Sequence, residues 1–543
     1  MSVEVWLLVA GLVLAAWVYS GWRHSYWSSR GVTTPPCLPV LGHMHKQLSL
    51  FQSRMAYYDE VYHKYGGTRL CGLYDLFRPV LMIGDPKLLK NILVKDFDHF
   101  VDIRKFLAEE GSITNEMLGN KSGDEWKALR AALSPTFTSG KMRGMFPLIC
   151  DKADALVSFS LKEAAKKPYV DMKVNFGRFT MDTIASCAFG IECNSFGNEE
   201  PEFVKYATTF FNFSFFGTIK SVFFNMYPRF FNALRVKIET ASVPFFQSVV
   251  EQTIAARKAG HKRGDFLDLL LEARTSYVPP NITHKSTEKY DQDTASNELT
   301  CLGNDRSFTG DSSRGGTHNI SITPSKQVLT DKSIVAQSIL FLVAGYETTA
   351  SALSFVSFLL AKNPIHQQRL RQEVQQIVQE YGNITYEGIM EAKFLDACIM
   401  ETLRLYPPGP YVERVCTKQY KIPGTDIIMN PGDEVILPFW SLHHDPRYWT
   451  HPEVFLPDRF LPENKVNIIS FTHMPFGMGP RNCIAMRFAL METKVALAKL
   501  VLAAELHLDV GCEELKVEQS LFLLRPDGSV NIVITPLTAD IQS

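Results

Sequence analysis

PFGMGPRNCIAMRFAL, from Pro475 to Leu490, is the stretch around which the rest of the chain organises itself. Gly477, Gly479 and Pro480 make a tight turn, Arg481 follows, and Cys483 stands where an apolar run opens a helix. The first turn of a helix favours negative charge, so a cysteine placed there is poised as a thiolate. Alone, the stretch predicts a reactive or metal-bound thiol. The chain has ten cysteines but no CxxC pair and no zinc-type Cys/His cluster, so the others read as small buried hydrophobes.

Working outward, SIVAQSILFLVAGYETTASALSFVSFLLAK, Ser333 to Lys362, is apolar nearly all round and long enough for a helix of about 45 Å. Glu347, Thr348 and Thr349 interrupt it at mid-length, which disfavours a membrane span and predicts a helix through a soluble core with a polar patch facing a cavity. Ala344 and Gly345 would let a bulky flat group approach its backbone. In IMETLRLYPPGPYVERV, Glu401 and Arg404 share a helix face that Pro407 and Pro408 bring to an end. Apolar neighbours bury that face, and a buried ion pair calls for a further partner.

Other helical periodicities run through Trp126 to Leu133, Phe203 to Phe216, His366 to Tyr381 and Phe394 to Leu405. Strand signals are confined to Pro79 to Asp85, to Tyr420 to Leu437, and to LFLLRP and VNIVITP, which together predict a hairpin around Asp527 and Gly528. The fold class is mainly α with a small β region.

FGMGPRNCIA resembles the haem-binding loop of the cytochrome P450 family, F-G-x-G-x-R-x-C-x-G, except that Ala485 stands in the last position. AGYETT, Ala344 to Thr349, resembles the family's oxygen-activating helix motif, and ETLR, Glu401 to Arg404, its E-x-x-R. FLPDRF supplies Arg459, which in the family completes a Glu/Arg/Arg triad. WKALR, Trp126 to Arg130, is similar to the propionate-holding W-x-x-x-R, and Arg414 in YVERV matches another propionate contact. LSPTFTSGKM, FLVAGYETTAS and GPRNCIAMRFAL resemble the microsomal, xenobiotic-metabolising branch, with its vertebrate liver drug oxidases and arthropod detoxification enzymes.

The resemblance implies a single-domain P450 fold holding haem b between the central helix and the cysteine loop. Cys483 would be the iron ligand, a thiolate that pushes electron density toward bound oxygen. Trp126, Arg130, Arg414, Phe476 and Arg481 would contact the haem, while Glu401, Arg404 and Arg459 would form a structural triad. Thr348 and Glu347 would deliver protons to the oxygen side. No dinucleotide fingerprint follows a strand, so electrons must come from outside. The implied donor is an NADPH-dependent flavoprotein reductase, with cytochrome b5 as a second candidate, docking on Lys127, Lys141, Arg143 and Lys494.

At the N-terminus, Val5 to Trp22 carries no charge and is long enough to cross a bilayer, while Arg23, His24 and Arg30 follow it. Residues 1–22 read as a transmembrane anchor, 23–45 as a Pro-rich linker and 46–543 as the catalytic domain. The positive flank places that domain in the cytosol, and the resemblance to the microsomal branch implies the endoplasmic reticulum membrane. Residues 276–326 are polar and read as a disordered insert. With a formal net charge of −1, the chain is no general nucleic-acid binder. The aromatic run Phe210 to Phe231 has more rings than one helix face can bury, so Phe213, Phe215 and Phe216, with Ala344, are expected to line an apolar substrate pocket or meet membrane lipid.

Three function classes follow. The first is monooxygenation of lipophilic small molecules such as xenobiotics, steroids or fatty acids. The second is isomerisation or dehydration of lipid peroxides without external electrons, against which the retention of Glu347 and Thr348 speaks. A non-enzymatic haem or ligand binder is the third.

Overall fold

The structure, a computed structural model, describes residues 3–47, 53–105, 111–197, 202–211, 217, 220, 242–260, 263–276, 329–509, 511, 514–519 and 523–537. The Phe213, Phe215 and Phe216 assignments, and the expected insert from 277 onward, lie outside the described residues.

Helix Asp331–Lys362 forms the axis of the molecule. Thr330 caps it by accepting the Ser333 N–H at 3.0 Å, and Asn363 and Pro364 separate it from helix Pro364–Tyr381. Because it is apolar on every side it is packed on every side: helices Met172–Ile184, Ser242–Lys258, Lys393–Leu405 and Met486–Ala503 all lie against it. Between its terminal turns, only Leu340, Ala344, Gly345 and Thr348 escape burial. Helix Lys393–Leu405 stops where expected, with Tyr406 and Pro407 breaking the helical backbone.

The β structure is set to one side. Leu70–Asp75, Arg78–Ile83, Glu434–Leu437 and Val412–Val415 form a four-stranded sheet in that order, with the central pair parallel and the others antiparallel. Its last strand brings Arg414 toward the helical core. The hairpin expected around Asp527 and Gly528 does not form. Leu524–Pro526 pairs with Val517–Gln519 instead, and Asn531–Pro536 lies between Ala504–Leu508 and Val170–Asp171. Both runs are apolar enough to be strands; what sequence pattern left open was the partner.

Helix Val3–His24 projects with its side chains largely exposed, and it is long and apolar enough to cross a membrane. The chain then turns onto the four-stranded sheet. Trp27 is fully buried, donating its indole N–H to Leu73 O at 3.0 Å, while Arg23 and His24 bond the carbonyls of Phe77 and Leu76.

Candidate active site

The cysteine loop is shaped by its backbone. Gly477 and Gly479 have φ of +72° and +75°, and a Cβ on Gly479 would stand 1.8 Å from the Leu93 carbonyl, so no other residue fits there. The Cys483 N–H donates to Phe476 O at 2.8 Å, closing the loop. Cys483 is accessible, yet it is surrounded by protein, and that burial pushes its thiol up. The Ala485 N–H points at the sulfur and partly offsets the upward push. Ala485 has φ of −96°, which any L-residue adopts, so the methyl that departs from the family pattern brings no backbone strain.

The central helix presents its accessible strip, Ala344 and Thr348, one turn apart. The Thr348 hydroxyl donates to Ala344 O at 2.7 Å. Gly345 serves a different neighbour from the one expected: a Cβ there would meet Ile184 Cδ1 at 3.3 Å, so the glycine admits a helix contact rather than a flat ligand. Glu347 is buried and turned elsewhere, its Oε1 lying 3.6 Å from Arg525 Nη1. Burial raises its carboxyl above the usual range, and Arg525 opposes the rise. Sequence reading missed Arg525 altogether, since nothing in the LFLLRP strand pattern marks its partner.

Arg130, Arg414 and Arg481 converge beside the loop. Arg130 donates to both the carbonyl and the side-chain oxygen of Asn482, each at 2.9 Å. Arg481 lies over the buried Trp126 ring, 4.5 Å from its centroid, and donates to Lys121 O. Arg414 is 3% exposed and bonds only its neighbour's carbonyl, Glu413 O, among the described residues. Burial first, and then the adjacent Arg481, press Arg414 down to about 9. Burial likewise brings Arg481 down to about 10, with Asp102 opposing and Arg130 adding to the effect. The Nε atoms of Arg414 and Arg481 are buried without a partner. A cluster of desolvated cations with donors to spare fits an anionic ligand with two carboxylates, set beside a soft sulfur donor; haem propionates and haem iron meet that description.

Glu401 and Arg404, both fully buried, form a two-toothed pair at 2.8 and 2.9 Å. The third partner is present: Arg459 Nε lies 3.3 Å from Glu401 Oε1, and the Leu456 N–H reaches the same oxygen at 3.0 Å. Arg404 further donates to His443 O at 2.8 Å and stacks over Trp449. His443 and Asp445 are occupied structurally, His443 accepting from the Met474 N–H and Asp445 bonding Tyr62 and Arg447. No group of metal-binding type occurs there or elsewhere among the described residues.

A family model described as Cytochrome P450 matches residues 32–302 and 312–532. The chain belongs to the cytochrome P450 family. It is 36% identical to cytochrome P450 9e2 of Blattella germanica, over 92% of each chain. It is also 34% identical to cytochrome P450 3A41 of Mus musculus, over 99% of this chain and 97% of that one, and 34% identical to cytochrome P450 3A5 of Homo sapiens, over 92% and 90%. Membership makes this P450 a haem enzyme and an oxidoreductase of monooxygenase type.

One expectation about its surface fails. Lys494 is 2% exposed and paired with Asp396 at 3.0 Å, so it cannot belong to a docking face. Its helix, apolar in pattern, is covered on the side that carries it. Lys127, Lys141 and Arg143 are exposed, though Lys127 and Arg143 already face Asp98 and Glu387.

Proposed function

We propose that this P450 inserts one oxygen atom of O2 into lipophilic small molecules, using electrons from an NADPH-dependent flavoprotein reductase, and that Cys483 would hold the iron of haem b. The observation that carries the reading is the convergence of Arg130, Arg414 and Arg481 beside Cys483, together with the accessible Ala344 and Thr348 strip on the central helix. Arg130, Arg414 and Arg481 would hold the propionates, Trp126 would support Arg481, and Phe476 would close the loop beside the sulfur. Haem bound there supplies an iron that activates dioxygen. Thr348 can hold water and donate a hydrogen bond on that side, and Glu347 can link the site to solvent. The Glu401, Arg404 and Arg459 triad serves structure: it fixes the Lys393–Leu405 helix against the loop that precedes the cysteine.

Residues 1–22 anchor the protein in the endoplasmic reticulum membrane, 23–45 connect, and 46–543 form the cytosolic catalytic domain. Ala344 lines the substrate side, with Phe213, Phe215 and Phe216 as companions whose placement lies outside the described residues. Lys127, Lys141 and Arg143 offer the cationic face for the reductase.

The spectrum of the reduced, carbon monoxide-bound protein tests the ligand. A Soret band in the thiolate position, lost in Cys483→Ser, is expected; a band in the imidazole position in the unaltered protein overturns the assignment. Product formation that needs reductase, NADPH and O2 together is expected, whereas turnover of a lipid peroxide without reductase would transfer the protein to the isomerase class.

A further inference from the structure

Gln337 stands seven residues before Ala344 in helix Asp331–Lys362, two turns earlier on the same face, and it is fully buried. Its amide does not serve its own helix alone. Nε2 donates to Glu116 O at 2.7 Å and to Ser333 O at 3.2 Å, while Oε1 accepts the Leu118 N–H at 2.7 Å. Between those two partners Met117 is extended, with φ of −64° and ψ of 142°. An extended residue turns the carbonyl before it and the N–H after it to one side, so a single amide bonds both, as a neighbouring strand would.

The segment held in this way leads to the arginine cluster. Thr114–Glu116 and Leu118–Asn120 are single 3-10 turns, which make few backbone bonds of their own. The Lys121 ammonium lies 2.7 Å from the Glu116 carboxylate, and the Lys121 carbonyl accepts from Arg481 Nη2. Among the described residues that carbonyl is the one hydrogen-bond acceptor of Arg481, whose guanidinium otherwise lies over the Trp126 ring. A run of contacts therefore joins Gln337, the backbone of 116–118, Lys121 and Arg481.

We propose that Gln337 is a positioning residue for the haem: by clamping residues 116–118 to the central helix it fixes the Lys121 carbonyl, and through it the direction in which Arg481 meets a propionate. The inference rests on the reading of Arg481 as a propionate holder. An apolar side chain of the same length would fill the space as well, but would leave Glu116 O and the Leu118 N–H without this partner. The clamped helix also carries Ala344 and Thr348, so one element sets both that strip and the haem edge.

The test uses the full-length holoenzyme and two readouts, the resonance Raman bands of the propionates and the rate at which haem passes to an acceptor protein. Gln337→Met keeps the side-chain length and removes the clamp; displaced propionate bands and haem transfer about tenfold faster are expected. Arg481→Leu should move the same bands, and adding Gln337→Met to it should bring no further change, because both act through one contact. Lys121→Met removes the tie to Glu116 at the edge of the segment and should give a smaller displacement in the same direction. It carries the test should Gln337→Met fail to fold, and unmoved bands there would then overturn the proposal. Propionate bands that stay in place in Gln337→Met, or rate effects that multiply in the double variant, overturn it as well. If Arg481→Leu by itself leaves bands and rate as in the parent, the propionate reading of Arg481 falls and takes the proposal with it. Movement in Arg481→Leu without movement in Gln337→Met keeps that reading and removes the clamp alone.

Discussion

Two groups of arginines, each with one buried and one half-buried member, are provided for in opposite ways. Arg404 and Arg459 meet Glu401, whose oxygens also accept a backbone N–H, and the remaining Arg404 donors reach carbonyls. Among the described residues, no carboxylate bonds Arg414 or Arg481, and each keeps a buried Nε without a partner. The difference teaches which cluster is finished by the polypeptide and which by a ligand. A self-satisfied network is a fold element, whereas a surplus of poorly partnered cations supports the proposed role in holding an anion.

The sharpest way to break the comparison is to unbalance the closed cluster. Glu401→Gln leaves the fully buried Arg404 and the half-buried Arg459 without their anion, and the expected loss is about 3–5 kcal/mol. Denaturant titration should show it in haem-free and haem-loaded protein alike. A loss confined to the loaded form would mean that the triad belongs to the haem site.

Glu492 offers a third case, an acid with no cation facing it among the described residues. It is 1% exposed, lies beside Thr183 and Thr349, and makes no hydrogen bond of full geometry, so burial holds its carboxyl well above the usual range. The folded state therefore keeps a proton that the unfolded chain releases. The stability this gives is fully present below the ordinary carboxylate range and is lost as pH rises, at about 1.4 kcal/mol per pH unit, until the folded-state value is passed. Glu492→Gln cannot ionise and should remove that slope, leaving the variant more stable than the parent at neutral pH. Parallel stability curves for the two proteins would show that Glu492 finds a partner that lowers its cost.

In the open cluster the sign of a mutation should depend on the ligand. Arg414→Met removes a desolvated, poorly partnered charge, so the haem-free chain should gain on the order of 1–3 kcal/mol. The same change should weaken haem retention, seen as faster transfer of haem to an acceptor protein. Destabilisation of both forms would place Arg414 with Arg404 among the closed network.

These clusters also mark how far sequence reasoning reached. The Glu401/Arg404 pair was legible because three residues on a helix fix a shared face, and its apolar neighbours announce burial. Arg459 and the propionate set came only from resemblance, since no local periodicity links Arg130, Arg414 and Arg481 across the fold. The helices were readable from apolar repeats, and the central helix begins and ends within a few residues of its pattern. Strand pairing was not, because Leu524–Pro526 and Asn531–Pro536 each choose a partner that local composition does not specify. Arg525 was invisible for the same reason: its carboxylates come from the central helix and from the strand it pairs with.

The smallest expected effect belongs to Ala485→Gly, which asks whether the loop beside the open cluster is held by backbone shape or by side-chain bulk. Ala485 is the N-cap of helix Met486–Ala503 and turns its N–H toward sulfur. Glycine is preferred over alanine at an N-cap, which favours the variant, yet it releases more unfolded-chain entropy, costing about 0.4–1 kcal/mol. The two nearly cancel, so stability should change by less than about 1 kcal/mol. The N–H to sulfur geometry needs no side chain, and the Soret band of the reduced carbon monoxide complex should therefore stay where it is. A displaced band would mean that the extra methyl, and not the glycine-shaped turn before Cys483, sets the surroundings of the thiolate.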